Sequence, residues 1–115
     1  MRNETRQRLH DALLSCRAVG RHTAGLDQAD YQRDELVRDA VERRLGIIGE
    51  ALRRAESLDP AVVKHIPELR QIVGLRNRLI HGYDSVDDDI IWNAVQYKLP
   101  LLEVHLAALL EVDDA

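Results

Sequence analysis

The chain has no phenylalanine, one tryptophan and three tyrosines among its 115 residues. Leu, Ile, Val and Ala must therefore fill any core, and aliphatic packing of that kind favours helix against helix. The single cysteine, Cys16, excludes an internal disulfide and fits a reducing compartment. The first residues, MRNETRQRLHDALL, are charged from the start and lack the apolar segment of a signal peptide. No apolar run approaches the roughly 20 residues that span a bilayer. The net charge is −4, so there is no generic basic coat for nucleic acid, and any contact with RNA or DNA must be local. Together these absences predict a soluble, cytoplasmic protein.

What is present is an ordinary globular balance, 45% hydrophobic and 31% charged. The length suits a single domain over residues 1–115 with one modest core. Apolar residues recur at spacings of three and four through most of the chain. Leu9, Leu13, Cys16 and Val19 mark a first helix over 4–24, with Gly25 as its stop. Asp27 is placed to cap a short turn through Ala29–Tyr31. Val37, Val41, Leu45, Ile48, Leu52 and Ala55 form one stripe of a helix over 35–57. Gly46 and Gly49 interrupt that helix at about 1 kcal/mol each against alanine. Such a cost implies that something approaches closely there.

Asp59-Pro60 opens a short helix to about His65. Pro67 is expected to open the next, over 67–81, ending at Gly82. A last helix runs from Asp87 or Asp88 to about Glu111, with Pro100 inside it as a source of a kink. No strand, repeat or linker is visible. The predicted fold class is all-α, an up-and-down bundle of four main helices plus a short one. The nearly continuous apolar ridges of the second and last helices point to a homodimer.

RNRLIHGYD, residues 76–84, gathers four polar groups at one helix end. Asn77 and His81 lie one turn apart on one face, Arg76 is one step round from Asn77, and Tyr83 follows the glycine. A histidine exchanges a proton near neutral pH. An arginine is a fixed cation whose planar fork suits phosphate oxygens. Asn77 can orient the imidazole or bind a phosphate oxygen, and Tyr83 can donate to a phosphate or stack on a base. Cation, proton carrier and hydroxyl together suit metal-free cleavage of RNA, in which the ribose 2′-hydroxyl attacks its own phosphate. The same letters also fit a plain helix end: a basic residue in the last turn, then glycine, with Arg76 and Arg78 merely solvated.

Asp87, Asp88 and Asp89 raise the question of a metal. Three adjacent aspartates point in different directions on a helix, so capping is the favoured reading. His10, His22, His65 and His105 have no ligand spacing. No metal or other cofactor is expected. Cys16 sits on an apolar stripe and reads as core.

The arrangement Arg76-Asn77-x3-His81-x-Tyr83 resembles the active-site motif of the HEPN ribonuclease superfamily, and more closely that of its HepT toxin family. The likeness extends to Leu45–Ala51, Ile72–Asn77, Leu79–Tyr83, Val86-Asp87, Ile91-Trp92 and Thr23–Leu26, nearly the whole chain. The resemblance implies a helical bundle whose dimer brings two motifs together across a cleft as one ribonuclease site. It implies a type VII-like toxin–antitoxin system, in which an MntA-like nucleotidyltransferase silences the toxin by transferring AMP from ATP onto Tyr83. Without a Gly-rich phosphate loop in this chain, ATP would bind on that partner. Arg76 and His81 would be catalytic, and Asn77 and Tyr83 supporting. Glu50 would either stand behind Arg76 or His81 or form a salt bridge from the second helix; Arg70 and Arg78 would add charge for RNA, although plain surface solvation is the favoured reading for each. Whether dimers associate further is left open. The competing reading is a non-catalytic helical partner or substrate of a nucleotidyltransferase.

Overall fold

A computed structural model describes residues 1–81 and 87–114. It consists of α1 (Asn3–Thr23), α2 (Gln28–Arg33), α3 (Glu35–Leu58), a 3-10 turn (Pro60–His65), α4 (Leu69–Ile80), α5 (Asp88–Asn93), a π-helical stretch (Ala94–Lys98) and α6 (Leu99–Asp114). Among the described residues there is no strand, as an all-α reading requires.

Local chemistry sets the boundaries. Gly25 adopts φ +76°, the left-handed conformation that lets the chain leave α1. Asp27 caps α2 by accepting the Asp30 N–H at 2.8 Å, and the Asp30 carboxylate accepts the Asp27 N–H at 3.1 Å in return. Asp34 caps α3 through the Val37 N–H at 3.1 Å. Asp87 caps α5 through the Asp89 N–H at 3.0 Å, so the aspartate run does begin a helix. Helix α4 starts at Leu69, two residues later than Pro67 suggests. Glu68 stands at the cap, and its side chain is buried against His105 of α6, with Oε1 2.7 Å from Nδ1. Pro100 sits just beyond the π-helical stretch. The wider turn there accommodates a ring that would clash with the preceding carbonyl in an unbroken α-helix.

Helix α3 is central, packed on α1 along one side and on α4 along another, while α6 closes the bundle against α1. Val41, Leu45, Ile48, Leu52 and Ala55 of α3 are wholly buried, together with Leu9 and Ala12 of α1, Ile72 of α4, Ile91 of α5, and Leu102 and Leu106 of α6. Each large aliphatic side chain so buried contributes about 1.5–3 kcal/mol. Tyr31 and Trp92 form the one aromatic pair among the described residues, with ring centroids 5.4 Å apart. Cys16 is core as expected, and burial pushes its thiol up to about 12, too high for a nucleophile at neutral pH. Among the described residues no helix is long and apolar enough to cross a membrane.

Candidate active site at the end of α4

The apolar face of α4, Leu69, Ile72 and Leu75, docks it in the bundle and turns Arg76 toward α3. There the side chain lies across Gly49. A Cβ placed on Gly49 would overlap the Arg76 Cβ and stand 2.7 Å from its Cγ. One of the two expected close approaches on the second helix is therefore real, and the neighbour is the Arg76 side chain. The other is not: a Cβ at Gly46 would meet nothing within 4 Å.

Crossing Gly49 delivers the guanidinium to Glu50, with Arg76 Nη2 2.7 Å from Glu50 Oε2. The Arg76 side chain is only 19% exposed, which rules out a merely solvated arginine. Nη1 donates to Asn77 Oδ1 at 3.3 Å. Nε is buried and has no hydrogen-bond partner among the described residues, an uncommon state for a donor in a folded interior. Glu50 also accepts from Arg53 Nη2 at 3.0 Å and from Arg54 Nε at 2.8 Å, its neighbours at three and four residues on α3. Glu50 thus pairs with Arg76 across the helices and with Arg53 and Arg54 along its own. Hydrogen bonds from Arg53 and Arg54, and the charge of Arg76, hold its carboxyl below the usual range.

His81 terminates α4. Its N–H donates to the Asn77 carbonyl at 3.1 Å, and the residue is exposed. Helix geometry sets it roughly 140° around the axis from Arg76 and roughly 40° from Asn77. One chain therefore offers the guanidinium and the imidazole at the same end of α4 but in different directions. Gly82, Tyr83 and Val86 lie outside the described residues.

Around Arg76 and Glu50 runs an open groove of about 600 Å³, walled by Glu42, Gly46 and Ile47 of α3 and by Leu79 and Ile80 of α4. Burial, with Asp39 and Asp88 nearby, raises the Glu42 carboxyl above its usual range. A larger depression of about 850 Å³ between α2 and α3 is lined by Asp30, Asp34, Glu35 and Asp39, with Arg33 as the one cation among its described lining residues. Four carboxylates make it a poor host for phosphate, so chemistry favours the smaller groove. Among the described residues no three His, Cys, Asp or Glu side chains are grouped to hold a metal ion. The Glu68–His105 pair, buried on the glutamate side, was invisible in the sequence, where His105 is one of several scattered histidines. The only hint is a carboxylate set between Ile66-Pro67 and Leu69.

A family model described as "Ribonuclease HepT-like" matches residues 12–109. "Putative RNase MJ1380" of Methanocaldococcus jannaschii is 34% identical over 95 residues, covering 83% of this chain and 86% of that protein. "Putative RNase TTE0752" of Caldanaerobacter subterraneus is 29% identical, covering 90% and 91%. "Probable ribonuclease HepT" of Thermococcus cleftensis is 28% identical, covering 90% and 93%. No solved structure matches the chain. With the family model spanning the core and the whole of α4, this chain belongs to the HepT-like ribonuclease family.

Proposed function

We propose that the protein is an endoribonuclease toxin that cleaves RNA by attack of a ribose 2′-hydroxyl on the adjacent phosphate, without a metal ion. The observation that carries this reading is the locked Arg76, held over Gly49 by Glu50 at the His81 end of α4, in a chain of this family. An arginine fixed in this way needs no reorganisation to receive the charge that develops on a phosphate, which is where electrostatic catalysis is strongest. His81, exposed at the helix end, exchanges protons. In the first step a base removes the 2′-hydroxyl proton, the 2′ oxygen bonds to phosphorus, and the 5′ oxygen leaves with a proton from an acid. The products are a 2′,3′-cyclic phosphate and a 5′-hydroxyl. Positioned acid–base help contributes about 10²–10⁴-fold.

Because Arg76 and His81 diverge around α4, the site is best completed by a second copy. In a homodimer two motifs share one cleft, and the guanidinium of one subunit and the imidazole of the other reach a common phosphate. Asn77 steadies Arg76, and Tyr83 contacts substrate. A nucleotidyltransferase of the MntA kind then silences the site by AMP transfer onto Tyr83, two residues beyond His81. The adduct adds bulk and negative charge where the RNA phosphate must sit.

Incubating the purified protein with cellular RNA in EDTA tests the reading. Wild-type cleavage that vanishes in His81→Ala supports it. Equal residual nicking by both proteins would mark a contaminant and favour a non-catalytic partner of the transferase. Expression in cells should arrest growth, and Arg76→Ala should relieve the arrest.

A further inference from the structure

A second groove, of about 360 Å³, lies on the other side of α4. Gly74 is in its floor, with Arg70 and Arg78 one turn to either side on α4, and Ile90, Asn93 and Lys98 on the opposite wall. A Cβ at Gly74 would meet nothing within 4 Å, so the floor is open down to the backbone. Among the described residues no carboxylate lines the groove, although the chain as a whole carries a net charge of −4. Arg70 shares its charge with Glu56 at 3.2 Å. Arg78 and Lys98 form no ion pair among the described residues. Arg78 stands roughly 200° around the helix from Arg76, so this groove and the Arg76 groove occupy opposite faces. Beyond Arg78 on the same face, seven positions from Gly74 and about two turns away, is His81.

Resting on the ribonuclease reading, we propose that this groove carries the phosphate backbone of the RNA strand running from the His81 end of α4, with Arg78 and Lys98 as its phosphate contacts. Charge of one sign, a floor that admits close approach, and a direction leading to the catalytic histidine fit a nucleic-acid strand better than a folded partner. Arg70 and Arg78 are about 12 Å apart along the axis, so an extended strand meets cations at more than one phosphate. Backbone contacts of this kind hold a strand in register without reading its bases. They also give an acidic protein a local means of holding RNA.

The test compares cleavage of a single strand of roughly twelve nucleotides with cleavage of a dinucleotide too short to reach the groove, over a range of salt. Lys98→Glu and Arg78→Glu should each raise KM for the long strand about tenfold and leave its kcat and the dinucleotide unchanged. Each should also reduce the slope of log affinity against log salt by about one. Gly74→Leu, which has room for its side chain and favours the helix, should raise KM for the long strand by obstruction while keeping the salt slope. An Arg78→Glu/Lys98→Glu chain with wild-type KM and salt slope would overturn the proposal and leave the groove to an acidic protein. Equal loss on both substrates would overturn it as well. A wild-type chain that cleaves nothing, yet loses RNA affinity in Lys98→Glu, would sink the ribonuclease reading and keep the groove.

Discussion

Arg76 and Arg78 are two residues apart on one helix, yet the first is held by Glu50 and Asn77 with its side chain 19% exposed, and the second stands in solvent. Each has a glycine as its counterpart. Gly49 lacks a Cβ because Arg76 occupies that space, whereas Gly74 lacks one and leaves the space open. The propensity cost of the two glycines is the same, about 1 kcal/mol against alanine. What that cost secures differs: a fixed guanidinium on one face, an unobstructed channel on the other. A glycine inside a stable helix therefore poses a question that only the structure answers: a neighbour is in place at Gly49, and open space lies at Gly46 and Gly74.

The contrast breaks most visibly at Gly49. Gly49→Ala should push Arg76 off its seat, destabilise the protein by about 1–3 kcal/mol in chemical denaturation and lower RNA cleavage about 10²-fold. Arg76→Lys comes next. It should cost less than about 1 kcal/mol, since Glu50 keeps Arg53 and Arg54, but cleavage should again fall about 10²-fold because an ammonium lacks the guanidinium fork. Arg78→Lys should leave single-turnover cleavage within about twofold of wild type, which sharpens the distinction between the two arginines.

Glu50→Gln is milder. It removes the anchor of Arg76 and should lower kcat about tenfold, with a stability loss of about 1 kcal/mol or less at pH 7 because the site is partly exposed. The pH dependence has a definite sign. The folded Glu50 carboxyl lies below its ordinary 4.5. Its contribution is therefore fully present above that value and is lost as pH falls through the depressed one. Denaturation curves of wild type and Glu50→Gln should converge in acid and separate toward neutrality. The smallest effects belong to the open glycines. Gly46→Ala and Gly74→Ala should each stabilise the fold by about 0.5–1 kcal/mol, raising Tm by a few degrees, since neither new methyl group meets an obstacle.

Much of this was legible in the sequence because short-range rules act there. The three- and four-residue spacing marked every long helix, Gly25 stopped α1, and Asp27 capped α2. The placing of Arg76, Asn77 and His81 at the end of one helix, and a close approach at Gly49, were legible as well. What stayed hidden depends on contacts distant in sequence. Glu68 and His105 are 37 residues apart, and nothing local pairs them. Glu68 is the cap residue of α4, and the helix begins at Leu69 instead of Pro67. The π-helical stretch before Pro100 answers a strain that the sequence locates without saying how the chain relieves it. Gly46 carried the same letter as Gly49 but faces no neighbour within reach. The groove beside Gly74 needs α5 and Lys98 as its far wall, and no spacing along α4 could have disclosed them.

The most direct measurement is of the ends left on a defined single-stranded RNA after incubation with the protein in EDTA. Attack by the ribose 2′-hydroxyl, assisted by Arg76 and His81, predicts 2′,3′-cyclic phosphate and 5′-hydroxyl termini from the wild type and intact RNA from Arg76→Ala and His81→Ala. Products ending in 3′-hydroxyl and 5′-phosphate, or cleavage that survives loss of both side chains, would contradict it.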